Sequence, residues 1–131
     1  MMRILTVLVF FLLNVIVCVA KPREGKDLTA NEFAKMIKEK NIVLVDVRTA
    51  SEFEDAHLES AILIDFFDPN FKQNISSLSK KRTICVYCRS GNRSGKTMKL
   101  LADLGYKHVI NLAGGIKGWK AEGLETVESQ N

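Results

Sequence analysis

The 131-residue chain is short of histidine, of cysteine and of net charge, and each scarcity narrows the functions open to it. Its two histidines, His57 and His108, lie far apart and neither falls in a metal-ligand spacing, so no metal and no cofactor are expected. Of the three cysteines, Cys18 belongs to an apolar leader, which leaves Cys85 and Cys88. There are 19 Lys+Arg against 15 Asp+Glu, and only Arg3 lies in the first twenty residues, so the other 111 carry +3. So small an excess is no nucleic-acid footprint, and no nucleic-acid partner is expected.

What the chain has in abundance is concentrated at its start. Seventeen of the twenty residues Met1–Ala20 are apolar, and the run gives way to Lys21-Pro22-Arg23-Glu24-Gly25. This is the layout of a secretory signal, with Ala20 as the small residue before the cleavage point and Cys18 two places earlier. Cleavage after Ala20 would leave the protein periplasmic or secreted. The alternative is an uncleaved membrane anchor over residues 4–20, because about seventeen residues suffice to span a bilayer, and no membrane partner is expected beyond that segment. Either route places residues 21–131 where disulfides persist. Without the leader about 40% of the residues are apolar, enough for one core but not two. One domain over residues 21–131, monomeric and without internal repeats, is therefore expected.

Along that domain, Thr29-Ala30-Asn31-Glu32 has the pattern of a capping box, and Phe33, Met36, Ile37 and Lys40 follow at helical spacing, which predicts a helix over 30–40. Ile42–Val47 is almost wholly apolar and β-branched, as a strand buried on both faces of a parallel sheet would be. A short acidic helix over 51–57, a second buried strand over 61–65 and a helix through Phe71, Ile75 and Leu78 come next. Thr83–Tyr87 is a third strand, Gly95–Leu104 a helix ended by Gly105, and His108–Leu112 a fourth strand. Gly114-Gly115 then turns the chain into a short helix holding Trp119. Strands alternating with helices predict a small α/β sandwich, a parallel sheet with helices on both faces.

Cys88 falls at the end of the third strand, ahead of a tight loop and a helix, where such folds open a ligand crevice. Successive loop N–H groups and the helix N-terminus form an anion nest there, and Arg89 and Arg93 add two positive charges. That field favours the thiolate, so an activated nucleophile and an anion site are expected to coincide.

These residues resemble the rhodanese (thiosulfate sulfurtransferase) domains, most closely the small, single-domain, exported bacterial ones. The likeness runs over residues 27–123. Asp46-Val47-Arg48 with Glu52-Phe53 is similar to the first motif of that family. His57-Leu58 with Ala61-Ile62 is similar to the second, although Ala56 and Ser60 replace its usual glycines. Cys88-Arg89-Ser90-Gly91-Asn92-Arg93-Ser94 matches the active-site loop, and Gly114-Gly115 with Gly118-Trp119 the closing motif. The resemblance implies a rhodanese-like three-layer sandwich in which Cys88 is the catalytic nucleophile and Arg89, Ser90, Gly91, Asn92, Arg93 and Ser94 bind substrate. Cys88 would take the sulfane sulfur of a small anionic donor such as thiosulfate and pass it to cyanide or a thiol. Asp46, Arg48, Glu52 and His57 are expected to serve structure, through ion pairs and hydrogen bonds near the crevice.

Other chemistries fit less well. Phosphatase or arsenate-reductase-like chemistry is the weaker fit, because related phosphatases place the arginine six residues after the cysteine, whereas Arg93 is five residues on. The run Gly91–Thr97 looks like a nucleotide-binding loop, but only three residues separate its glycines and that motif needs four. Cys85-Val86-Tyr87-Cys88 has dithiol spacing, yet Cys85 falls inside a strand, so it is expected to be a buried bystander, with a Cys85–Cys88 disulfide left open. A persulfide carrier that does not turn over would use the same loop.

Overall fold

The computed structural model describes residues 25–130, and the expected leader over residues 1–20 lies outside them. The elements in chain order are β1 (Lys26–Leu28), α1 (Ala30–Met36), β2 (Ile42–Asp46), α2 (Ala50–Asp55), β3 (Ile62–Leu63), α3 (Phe71–Ser76), β4 (Thr83–Tyr87), α4 (Asn92–Asp103), β5 (Val109–Leu112) and α5 (Gly115–Ala121). All five strands are parallel, in the order β1-β5-β4-β2-β3. Among the described residues no helix is long and apolar enough to cross a membrane.

The alternation of side chains along each strand divides the core in two. Leu28, Leu44, Cys85, Tyr87, Ile110 and Leu112 point to one face, where Phe33 of α1 and Ile116 and Trp119 of α5 cover them. Val45, Val47, Ile84, Val86 and Val109 point to the other, under Phe71 and Ile75 of α3 and Met98 and Leu101 of α4. Helices on both faces of a parallel sheet match the expected sandwich. Strand β4 runs through its middle, which is why Ile84–Tyr87 are fully buried. It delivers Cys88 to the carboxyl end of the sheet.

Four local expectations change. The helix expected over 30–40 ends at Met36, because the chain must turn through Asn41 at φ 68° to enter β2. Thr29 does accept from the Glu32 N–H at 3.3 Å, but the reciprocal capping box forms at Thr49 and Glu52 of α2. The strand expected over 61–65 shrinks to two residues at the sheet's edge with Ile62 exposed, and a short apolar run does not by itself tell an edge strand from a central one. A fifth strand, β1, pairs with β5; three residues, two of them charged, carry no apolar signal. The turn after α4 is as expected, with Gly105 at φ 92° accepting the left-handed conformation that ends the helix.

One buried ion pair closes the carboxyl end of β2. Asp46 is wholly buried, and Arg48 donates to both its carboxylate oxygens at 2.7–3.1 Å and to the Ala56 carbonyl beyond α2. The Arg48 guanidinium also lies 5.7 Å from the Tyr87 ring centre, and Tyr87 Oη accepts the Leu58 N–H at 3.0 Å. Breaking such a pair from one side leaves a desolvated charge. Arg48→Met should therefore cost about 3–5 kcal/mol in urea-unfolding experiments.

Candidate active site

Cys88 follows the last residue of β4 and is 1% exposed. The loop after it is held by α5 rather than by its own side chains. Ile116 N–H donates to the Cys88 carbonyl at 2.9 Å and Lys117 N–H to the Arg89 carbonyl at 3.1 Å. With the carbonyls tied back toward α5, loop N–H groups are left to face the sulfur. Two glycines permit this packing. At Gly91, φ is 99° and a β-carbon would run into the Ala113 carbonyl; at Gly115, φ is 61° and a β-carbon would collide with the Arg89–Ser90 peptide. Gly115 belongs to the closing motif noted in the sequence, and its place is against the loop.

The Gly91 N–H lies 3.1 Å from Cys88 Sγ and the Ser94 hydroxyl 3.3 Å from it. Burial on its own pushes the thiol up. The Ser94 hydroxyl and the N–H groups of Ser94, Ser90 and Gly91 outweigh it, and the pKa falls below the ordinary cysteine value. Helix α4 begins at Asn92, three residues earlier than its apolar pattern indicates, so its amino end reaches the sulfur and Ser94 stands inside its first turn. Ser94 is itself fully buried.

The two arginines are placed differently. Arg93 turns to Glu52, with Nη1 2.9 Å from Oε2 and Nη2 2.8 Å from Oε1. Glu52 also accepts from the Thr49 N–H and hydroxyl at 2.9 and 3.0 Å. The Arg93 hydrogen bonds chiefly, with those from Thr49, overcome partial burial and hold the Glu52 carboxyl down to about 2. Arg93 thus comes to the site with its charge already paired, and although it still attracts the Cys88 thiolate, the chief groups that stabilise the sulfur are N–H and O–H dipoles. Arg89 is exposed and lines a cleft of 360 Å³ with Arg48, Glu52, Asp55, Ile116, Lys117 and Lys120. Asn92 lines a different cleft, with Asp27 and Asn111. Of the six loop residues, Ser90, Gly91 and Ser94 therefore meet the sulfur, Arg93 stands beside it in an ion pair, and Arg89 and Asn92 face outward.

Phe67 is a neighbour that sequence reading missed. It is 65% exposed, with the Arg93 guanidinium 5.6 Å from its ring centre. Its only sequence signal was an exposed aromatic beside Asp65 and Asp68, whose carboxylates cap the turn. The other motif residues take structural posts. Asp46 and Arg48 pair with each other, and His57 stacks on Phe53 at 3.8 Å with Nδ1 bonded to the Phe53 carbonyl.

Cys85 is placed as the buried bystander that its strand position predicts. Cys85 points into the core under α1 and α5 while Cys88 belongs to the opposite core, and both thiols are free. Burial pushes the Cys85 thiol up to about 12, with no hydrogen bond to offset it.

Two outcomes follow from this geometry. Ser94→Ala should raise the Cys88 pKa and slow alkylation by iodoacetamide at neutral pH about tenfold, the loss expected for one hydrogen bond to a charged group. Glu52 has a folded pKa of about 2 against an ordinary 4.5, so its pairing stabilises the fold above the higher value and is lost as pH falls toward the lower. Acid-unfolding curves of Glu52→Gln should accordingly be flatter than wild type across that window.

Comparison with known proteins agrees with this architecture. The model of the Rhodanese-like domain matches residues 29–122. The chain is 37% identical over 92 residues to an uncharacterised protein of Synechocystis sp., covering 69% of this chain and 49% of that one. It spans about half the length of that relative. A protein of Allochromatium vinosum named sulfurtransferase is 34% identical over 87 residues, 66% of this chain and 79% of its own. A thiosulfate sulfurtransferase GlpE of Coxiella burnetii is 28% identical over 96 residues, 73% of this chain and 88% of its own. Among solved structures, a rhodanese-related protein of Thermoplasma volcanium superposes with TM-score 0.71 at 25% identity, over 79% of this chain and 99% of that one. A rhodanese-like domain protein of Staphylococcus aureus does so with TM-score 0.66 at 31% identity, over 79% and 99%. With its matched model, its sulfurtransferase relatives and its parallel-sheet sandwich, the chain belongs to the family of rhodanese-like domains, a family of sulfur transfer.

Proposed function

We propose that the protein is a thiosulfate-type sulfurtransferase working through a persulfide on Cys88. The Cys88 thiolate attacks the outer sulfur of thiosulfate. The sulfur–sulfur bond of the donor breaks, its electron pair leaves with sulfite, and Cys88 holds the transferred sulfur as a persulfide. Cyanide or a thiolate then attacks that outer sulfur, taking it as thiocyanate or as a new persulfide and restoring the Cys88 thiolate. This is covalent catalysis in two half-reactions.

The observation that carries the reading is the set of donors around the sulfur, because the N–H groups of Ser90, Gly91 and Ser94 and the Ser94 hydroxyl lower the Cys88 pKa despite near-complete burial. Those donors favour negative charge at Cys88, on the thiolate before reaction and on the persulfide after it. The six-residue span from Cys88 to Arg93 suits one added sulfur atom. Arg89, exposed beside Lys117 and Lys120, is the cationic group left to draw in a dianionic donor.

Intact mass after addition of thiosulfate to the reduced protein tests this. The expected result is a gain of about 32 Da, one sulfur atom, absent in Cys88→Ser and discharged by cyanide. Multiple turnovers would mark an enzyme, and a stable adduct without turnover a carrier. Absence of any adduct on folded, reduced protein would reject the thiosulfate reading.

A further inference from the structure

We propose that the end of the sheet opposite Cys88 is a docking face for an anionic lipid surface, so that the domain sits on a membrane with its thiol turned away from it. Strands β2, β4 and β5 all start at this end, and the turns that lead into them carry Lys40, Lys80, Lys81, Arg82 and Lys107, every one exposed. They form one patch. Lys80 Nζ lies 5.6 Å from the ring centre of Tyr106, the residue before Lys107. The Asn41 side chain, next to Lys40, donates to the Lys81 carbonyl at 3.1 Å, and Arg82 donates to the Ile42 carbonyl at 2.5 Å. None of the five takes part in either of the ion pairs found among the described residues, Arg48–Asp46 and Arg93–Glu52. The acids on the same turns are Glu39 and Asp103, with Glu59 and Glu125 across a groove that Arg82 also lines.

Charge alone would suit many anionic partners, and the path of the chain selects the lipid. Strand β1 runs parallel to β5 with Lys26 beside Ile110, and Gly25 packs near the Val109 carbonyl, so the chain enters the domain at the basic end. The residues that precede Gly25 in the sequence are Lys21-Pro22-Arg23-Glu24 and, before them, the apolar run 4–20. In the chain that keeps residues 4–20 as an anchor, an apolar run precedes Gly25 in the sequence and the basic turns share the end at which Gly25 enters, the two-signal combination that stable membrane attachment requires. Cys88 lies at the far end of β4, roughly 15 Å away along a five-residue strand.

The test uses the full chain on vesicles of phosphatidylcholine alone and of phosphatidylcholine with a quarter phosphatidylglycerol, with acylation of lysine amines read by peptide mass mapping. On the anionic vesicles, labelling of Lys80, Lys81 and Lys107 should fall several-fold against Lys117 and Lys120 at the catalytic end, and high salt should restore it. On neutral vesicles the protection should be absent. Equal labelling of the two lysine sets on anionic vesicles would overturn the proposal, as would protection that ignores lipid charge or a chain that fails to float with anionic vesicles. Lys80→Glu combined with Lys107→Glu, both at exposed positions, should abolish the protection of Lys81 without loss of thiosulfate-derived mass at Cys88.

Discussion

Hydrogen bonds from the loop to a buried sulfur are the interaction on which the rest of this structure turns. A thiolate out of water is costly unless donors replace its solvation shell. Here the N–H groups of Ser90, Gly91 and Ser94 and one hydroxyl do so, and they face the sulfur only because the loop carbonyls are tied to α5. Those ties need a close approach of two backbones, which explains glycine at positions 91 and 115. The parallel sheet brings β4 and β5 side by side, so that α5, leaving β5, arrives against the loop leaving β4.

The two cysteines of the domain demonstrate how environment rather than residue type sets reactivity. Cys85 and Cys88 are both buried, three residues apart on one strand and its extension, yet they point to opposite cores and shift in opposite directions. Cys85 lies in an apolar cluster, and burial without a donor disfavours its thiolate. Cys88 meets dipoles aimed at it. Charge is arranged with similar economy, since Arg93 is paired with Glu52 and Glu52 also accepts from the Thr49 cap of α2, while Arg89, Lys117 and Lys120 line the cleft on the α5 side of the loop and take part in no ion pair among the described residues. The pairing also fixes Arg93 in place under the Phe67 ring.

Much of this was legible in the residues. Strands β2, β4 and β5 announced themselves as apolar β-branched runs, because a central parallel strand has no wet face to interrupt the pattern. The loop was legible too, since a cysteine between such a strand and a glycine-bearing basic turn has few structural reasons to be there. Other features depend on contacts that no local pattern encodes. The partner of Arg93 is 41 residues away, so two arginines near a thiol read as its counter-charges when one already has a carboxylate. The start of α4 at Asn92 was hidden by residues that read as loop, and β1 by its polar composition. Phe67 shows in sequence only as an aromatic in a turn.

The central claim is that dipoles, more than arginine charges, lower the Cys88 pKa, and its most direct test is the Cys88 titration followed by thiolate ultraviolet absorbance over increasing salt. Hydrogen bonds inside a buried site are scarcely screened, whereas the attraction of exposed cations fades as the screening length shrinks from about 10 Å at 0.1 M to about 3 Å at 1 M. The account predicts a pKa below the ordinary cysteine value that stays constant across that range. A pKa that climbs steadily with salt toward the ordinary value would contradict it and return the arginines to the leading role.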